Sequence, residues 1–450
     1  VIPAAIAALK DILHANPNSL VQRAAFFAYF VRIANAGILF VSQIVLARWM
    51  GGFEYGIYVL VWTWVQLLGG IASLGFGTGV LRFLPEYRAT QELARLRGVL
   101  LVSRLVSIVT ATAMALVGTA IVMLLGDHIE SYYVAPFILG FVCLPMFALN
   151  QVEDGIARSY DWMGLALLPG FFFRPLLVMV FLGVAYLVGA PATVQSAMYC
   201  VIAATWLSSI GQFLVLQNRC SKEVPVGPRS FEIGKWLRIS YPMLLTEGFH
   251  VLMINTDILV LSVFVTPDLV GIYFAAAKAL SLISIVFFAA QAAAGHKYAI
   301  LHASGDREAL LSFTRDTTRW TFWASLASAV GILVAGYPVL WLFGTNFTDA
   351  YPVMFILAVG ILARASIGPT ERLLNMIGEQ DKCAKIFFAS LVSNVIMNFA
   401  MVPLIGIYGA ALATSLALIG ESFLLNRTVT RKLGGSVFVF SAKRHLSISD

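Results

Sequence analysis

From residue 22 to residue 428 the chain alternates apolar stretches of about twenty residues or more with short breaks rich in charge or turn formers. That rhythm constrains the fold more than any other feature. A bilayer core takes roughly 20 apolar residues per helix. In lipid every backbone N–H and C=O must be satisfied internally, which for separate runs of this length means α-helices. Spans are expected at 22–47, 56–82, 98–125, 133–157, 163–187, 194–217, 237–265, 270–296, 317–343, 351–372, 383–404 and 407–428. Composition agrees: 60% of the 450 residues are hydrophobic and 12% are charged, with a mean hydropathy of +0.86. The expected fold is all-α and polytopic, with twelve transmembrane helices in two six-helix lobes and no sizeable soluble domain.

The thirty Lys and Arg set the orientation, because cytoplasmic loops collect positive charge. With the N-terminus inside, twenty-four of them fall on cytoplasmic segments and span ends, Arg48 alone falls outside, and five lie within spans. Both termini are therefore expected in the cytoplasm. The formal charge of +7 is spread over seven cytoplasmic segments, as an anionic inner leaflet favours, so membrane lipids and no nucleic acid are implied. Pro85–Arg97 is expected to lie on that surface as an amphipathic helix. Val1–Ala15 lacks the basic start of a cleaved signal and is expected to form a short interfacial helix. Cys143, Cys200, Cys220 and Cys383 show no metal or disulfide spacing.

The two halves of the chain repeat one another. Leu46–Tyr58 matches Leu261–Tyr273 at an offset of 215, which also carries Arg82 onto Lys297 and Arg104 onto Arg319; an offset of 220 carries Asp161 onto Asp381. Six spans per half is an even number, so the repeats are parallel, with a site expected at their interface. The expected organisation is an interfacial segment over 1–19, an N-lobe over 20–217, a cytoplasmic linker over 218–236, a C-lobe over 237–430 and a cytoplasmic tail over 431–450.

No Walker-type loop, H-E-x-x-H or G-x-S-x-G is present, and the external loops are too short to house catalytic groups, so an enzyme is not expected. Ionisable residues inside the spans are costly and mark function by default. The basic ones are Arg32, Arg104, Arg174, Lys278 and Arg364, and the acidic ones Glu247, Asp257 and Glu421, an interior excess of two positive charges. Guanidinium groups fork onto phosphates, so an anionic cargo fits. Arg32, Arg174, Lys278 and Arg364 are the candidates for the cargo cavity, with Arg32 paired to Glu247 as the alternative. Glu247, Asp257 and His250 are candidates for ion coupling or a cavity ion pair. Arg82, Arg104 and Lys297 are candidates for a cytoplasmic gate or headgroup contacts. No resident metal or cofactor is expected beyond a coupling Na⁺ or H⁺. Pro169-Gly170, Pro175, Pro242 and Gly75, Gly77 and Gly79 serve equally as hinges or as close helix contacts.

Several of these segments resemble a known family. LARWMGGFEYGIY (46–58), SLGFGTGVLRFLPEY (73–87), Asn255-Thr256-Asp257 with Gly271-Ile272-Tyr273 and Lys278, and NFAMVPLIGIYGAALATS (398–415) are similar to the polysaccharide-transporter branch of the multidrug/oligosaccharidyl-lipid/polysaccharide exporter superfamily, the Wzx-type flippases. The resemblance covers nearly the whole chain. It implies a V-shaped pair of six-helix lobes that moves an undecaprenyl-diphosphate-linked oligosaccharide to the periplasmic leaflet by alternating access. It also implies a polysaccharide polymerase and a chain-length regulator as partners. Arg32 and Lys278 occupy the spans where related lipid-linked sugar flippases carry basic residues. The acidic cation site of the drug-exporting relatives is not clearly matched. A cation-coupled multidrug antiporter and a non-transporting scaffold for glycan assembly remain as alternatives.

Overall fold

A computed structural model of the chain describes residues 17–126 and 128–441. Side chains are described over that range except at 17–33, 35 and scattered positions between 246 and 303, among them Glu247 and His250. The expected interfacial helix over 1–15 lies outside the described residues.

Every regular element among the described residues is helical: α1 (Pro17–Ala72), α2 (Phe76–Ala89), α3 (Leu93–Leu124), α4 (Ser131–Ser159), α5 (Met163–Leu187), α6 (Val194–Glu223), α7 (Ile233–Phe264), α8 (Pro267–Ser281), α9 (Ser284–Ala303), α10 (Arg307–Val334), α11 (Gly336–Phe343), α12 (Tyr351–Ala365), α13 (Thr370–Met376), α14 (Gln380–Ile405) and α15 (Ile407–Leu433). Nine helical segments among the described residues are long and apolar enough to cross a membrane, ten with the bent pair α10–α11. One of the nine, Ala36–Ala89, has 54 residues, about 80 Å of helix and more than twice the bilayer core. Each of the twelve expected spans overlaps one or two of the helices, but 22–47 and 56–82 share one membrane-crossing segment and 237–265 is not among those counted.

The breaks have local causes. Gly51 interrupts α1 with φ 78° and ψ 172°, a conformation that side chains exclude. Between α1 and α2 the chain turns through Leu74 (φ 47°) and Gly75 (φ 76°). A Cβ on Gly75 would lie 2.2 Å from the Ser240 carbonyl oxygen, so this glycine serves both the turn and the close contact. The helix expected over Pro85–Arg97 is not continuous: it stops at Ala89 and restarts at Leu93. Gln91 there takes φ 58°, and Arg95 reaches back 2.6 Å to Glu92 on the new first turn. Before the break Tyr87 is buried, whereas Pro85, Glu86, Arg88 and Ala89 are exposed.

The chain divides into two compact units, residues 1–50 with 61–248 and residues 51–60 with 249–450. The expected lobes did not assign 51–60 to the second unit or 237–248 to the first. In the first unit α4 packs on α2, α3 and α6, around a core that includes Phe76, Phe83, Tyr87, Ile156 and Trp236. The Trp236 indole donates to the Tyr87 hydroxyl at 3.0 Å, satisfying a polar edge inside apolar packing. In the second unit α15 packs on α12 and α14, and Tyr298, Leu310, Leu373, Leu425 and Val437 share a core.

Each unit carries a strap. After α6, Arg97 donates to the carbonyls of Pro225 (2.7 Å) and Pro228 (3.0 Å), and the Ser230 amide donates to Ala94 at 2.9 Å. After α15, Arg315 donates to the Ser436 carbonyl at 3.0 Å, and the Val439 amide donates to Ser366 at 2.9 Å. In both units an arginine near the start of a long helix binds carbonyls of the segment that follows α6 or α15, a charge-assisted arrangement.

Candidate functional site

The second unit contains a cavity of about 610 Å³ whose lining includes Asp257, Gln291, Arg364, Glu371, Asn394 and Thr414. Asp257 reaches it from α7 and is 7% exposed. Its Oδ2 accepts from the Tyr273 hydroxyl at 2.5 Å and from Thr414 at 3.4 Å. Its Oδ1 is buried with no hydrogen-bond partner. An ionised carboxylate with a bare oxygen in a membrane helix is expensive unless a cation or a proton completes it. Asn394 donates to Thr414 at 3.3 Å, and Asn398, one turn further along α14, donates to Asn394. This corner of the cavity therefore offers carboxylate, hydroxyl and amide oxygens, a donor set suited to a hard cation and not to a soft metal.

Arg364, which also lines this cavity, meets Glu421 at 2.7 Å and Glu371 at 3.2 Å. Its guanidinium carbon also lies 5.7 Å from the ring centres of Phe287 and Phe387. Two carboxylates thus share one arginine, and with Asp257 acids outnumber bases around the cavity.

The first unit places Arg174 directly after a π-helical turn, Pro169–Phe173. Pro169 has no N–H to donate, and its carbonyl accepts the Arg174 amide across the wide turn and the Ser208 hydroxyl at 2.8 Å. Arg174 is half-buried, its guanidinium carbon 5.4 Å from the ring centres of both Trp62 and Phe147. In the second unit Lys278, in the last turn of α8, is exposed and sits 4.9 Å from the Phe274 ring centre. Both cations lie within the range of cation–π attraction.

The structure redistributes the residues singled out by sequence. Asp257 and Arg364 share one cavity. Arg174 belongs to the first unit and Lys278 to the second. Arg104, expected at a cytoplasmic gate or against headgroups, is instead 8% exposed and paired with Glu153. Arg364, expected in the cargo cavity, is paired with two carboxylates, Glu371 and Glu421. Arg82 and Lys297 are exposed, the latter 4.6 Å from the Phe313 ring centre. Arg32 lies on α1, and Glu247 and His250 on α7, with their side chains outside the described residues.

Sequence reasoning missed Glu153, Tyr273, Glu371, Asn394 and Thr414. Glu153 and its neighbour Asp154 lie inside the expected end of span 4 and were not counted as interior; counting both cancels the interior excess of two positive charges. Asn394 and Asn398 were visible as an i, i+4 amide pair in an apolar span, a pattern that puts both on one helix face.

With this geometry in place, the chain compares closely with known proteins. A family described as polysaccharide biosynthesis protein matches residues 21–294. A Shigella flexneri protein named "Putative O-antigen transporter" is 22% identical over 416 residues, 86% of this chain and 92% of its own length. The inward-facing structure of a MATE-family multidrug resistance transporter of the MOP superfamily superposes with a TM-score of 0.74 at 14% identity, covering 90% of this chain and 98% of that one. The lipid II flippase MurJ superposes with a TM-score of 0.66 at 15% identity, covering 91% of this chain and 87% of that one. The fold is therefore that of the MOP exporters, and the chain belongs to the polysaccharide biosynthesis protein family.

Proposed function

We propose that the protein is a flippase that carries a polyprenyl-diphosphate-linked oligosaccharide from the cytoplasmic to the periplasmic leaflet by alternating access. The observation that carries this reading is Arg174, a membrane-embedded guanidinium set against Trp62 and Phe147 beyond a π-helical turn. Such a group keeps its charge in low dielectric and presents a fork to a diphosphate. Lys278, in the second unit, and Arg32 are the other basic candidates for cargo contact. Arg364 is withdrawn from cargo binding by Glu421 and Glu371. The Shigella relative named for O-antigen and the MurJ likeness support a lipid-linked glycan as cargo.

Coupling falls to Asp257. A proton or Na⁺ completes its bare Oδ1, with Thr414 and Asn394 as neighbouring oxygens. Arg82 and Lys297 contact lipid headgroups on the cytoplasmic side, where both termini lie. A polymerase and a chain-length regulator receive the product in a bacterial inner membrane.

Deleting the gene in its host and identifying lipid-linked glycans by mass spectrometry tests this reading. Accumulation of one diphosphate-linked oligosaccharide on the cytoplasmic leaflet, reversed by the wild-type gene, is the expected result. An unchanged glycolipid profile would sink the proposal.

A further inference from the structure

The second-unit cavity contains more acid than a single coupling carboxylate requires. Glu421, on α15, is 1% exposed, and neither carboxylate oxygen has a hydrogen-bond partner. Its ion-pair contact is Arg364 Nη1 at 2.7 Å. Arg364 donates from Nη2 to Glu371 Oε2 at 3.2 Å, and the Glu371 side chain is 34% exposed at the start of α13. One guanidinium therefore stands between a wholly buried carboxylate and a partly solvated one. With both acids ionised the triad carries one net negative charge inside a membrane protein, an unfavourable state that a bound proton removes. Arg364, Glu371, Asn394, Thr414 and Asp257 all line the same cavity, so a polar route joins the triad to the coupling carboxylate.

We propose that Glu421 is a second proton-binding group of the coupling path, with Arg364 as an exchangeable counter-ion that shifts toward Glu371 when Glu421 is protonated. The inference rests on the ion-coupled transport proposed above. In the forward step hydronium gives a proton to a Glu421 carboxylate oxygen; one O–H bond of hydronium breaks, leaving water, one forms on the carboxyl, and the carboxyl becomes neutral. Arg364 keeps its charge and its bond to Glu371, so the triad becomes neutral. In the reverse step the proton leaves to water and Arg364 pairs again with Glu421. Among the described residues, the ionisable groups facing Glu421 are Arg364 from α12, Glu371 from α13 and the buried Cys383 thiol from α14.

Infrared titration of the carboxyl C=O stretch, on full-length protein in lipid nanodiscs across about pH 4 to 9, reads the proton directly. The wild type is expected to show a titrating buried carboxyl band that Glu421→Gln removes and Asp257→Asn leaves in place. Glu371→Gln commits Arg364 to Glu421 and is expected to move that band to lower pH by about one unit or more. A wild-type spectrum unchanged by Glu421→Gln would overturn the proposal. Should Glu421→Gln fail to fold, an unmoved band in Glu371→Gln would overturn it. The reading on which it rests is separated by a flipping assay with a polyprenyl-diphosphate glycan. Flipping without a Glu421 band removes this inference alone, whereas a Glu421 band without flipping removes its coupling role together with the flippase.

Discussion

Arg104 and Glu153 form a two-pronged pair inside the first unit, Nε to Oε1 at 2.6 Å and Nη2 to Oε2 at 3.0 Å. Gln217 accepts a third bond from the same guanidinium at 2.6 Å. Removing one partner leaves an uncompensated buried charge, which costs roughly 3–5 kcal/mol. Glu153→Ala is therefore expected to lower the thermal unfolding temperature strongly, while the double change Arg104→Met with Glu153→Leu recovers most of the loss. Unfolding of Glu153→Ala at the wild-type temperature would show that the pair is not structural.

Asp257 is expected to carry the response to the coupling ion. Asp257→Asn keeps the volume and the bond from Tyr273 but removes the charge that a cation or proton completes. Flipping driven by an imposed Na⁺ or H⁺ gradient should fall at least about tenfold, equivalent to about 1.4 kcal/mol. Thr414→Val should weaken the response less. A gradient response that survives Asp257→Asn would place the coupling ion elsewhere.

The straps make a matched pair of predictions. Arg97→Ala and Arg315→Ala each delete charge-assisted bonds to the carbonyls that follow α6 or α15. Each substitution should cost about 1.5–3 kcal/mol of local stability. Limited proteolysis should then cut near 225–230 in Arg97→Ala and near 434–441 in Arg315→Ala, each without the other. Cleavage at the wild-type rate in both variants would mean that the straps are held by apolar burial alone, Val437 being fully buried.

The helices were legible because their cause is local: apolar run length fixes a span without reference to the rest of the chain. The repeat was legible for a related reason, since the break at Gly51 and the gap between α7 and α8 at Val265–Thr266 lie 215 residues apart. Tertiary pairing was not legible. Arg364 reads in sequence as a free cation because its partners lie seven and fifty-seven residues further on, and only the packing of α12 on α15 brings Glu421 to it. Arg104 reads as interfacial for the same reason, Glu153 being forty-nine residues away. The helix expected over Pro85–Arg97 failed because amphipathic spacing carries no sign of the left-handed Gln91.

The central claim is that this protein moves a lipid diphosphate between leaflets, and leaflet distribution in proteoliposomes tests it most directly. A fluorescent undecaprenyl-diphosphate glycan is loaded into the outer leaflet, and the fraction protected from an impermeant quencher is followed with time. The account predicts protection that rises with wild-type protein and slows at least about tenfold in Arg174→Ala with Lys278→Ala, a rise of about 1.4 kcal/mol in the barrier. Protection no faster than in protein-free vesicles, or equal rates in wild type and the double variant, would contradict it.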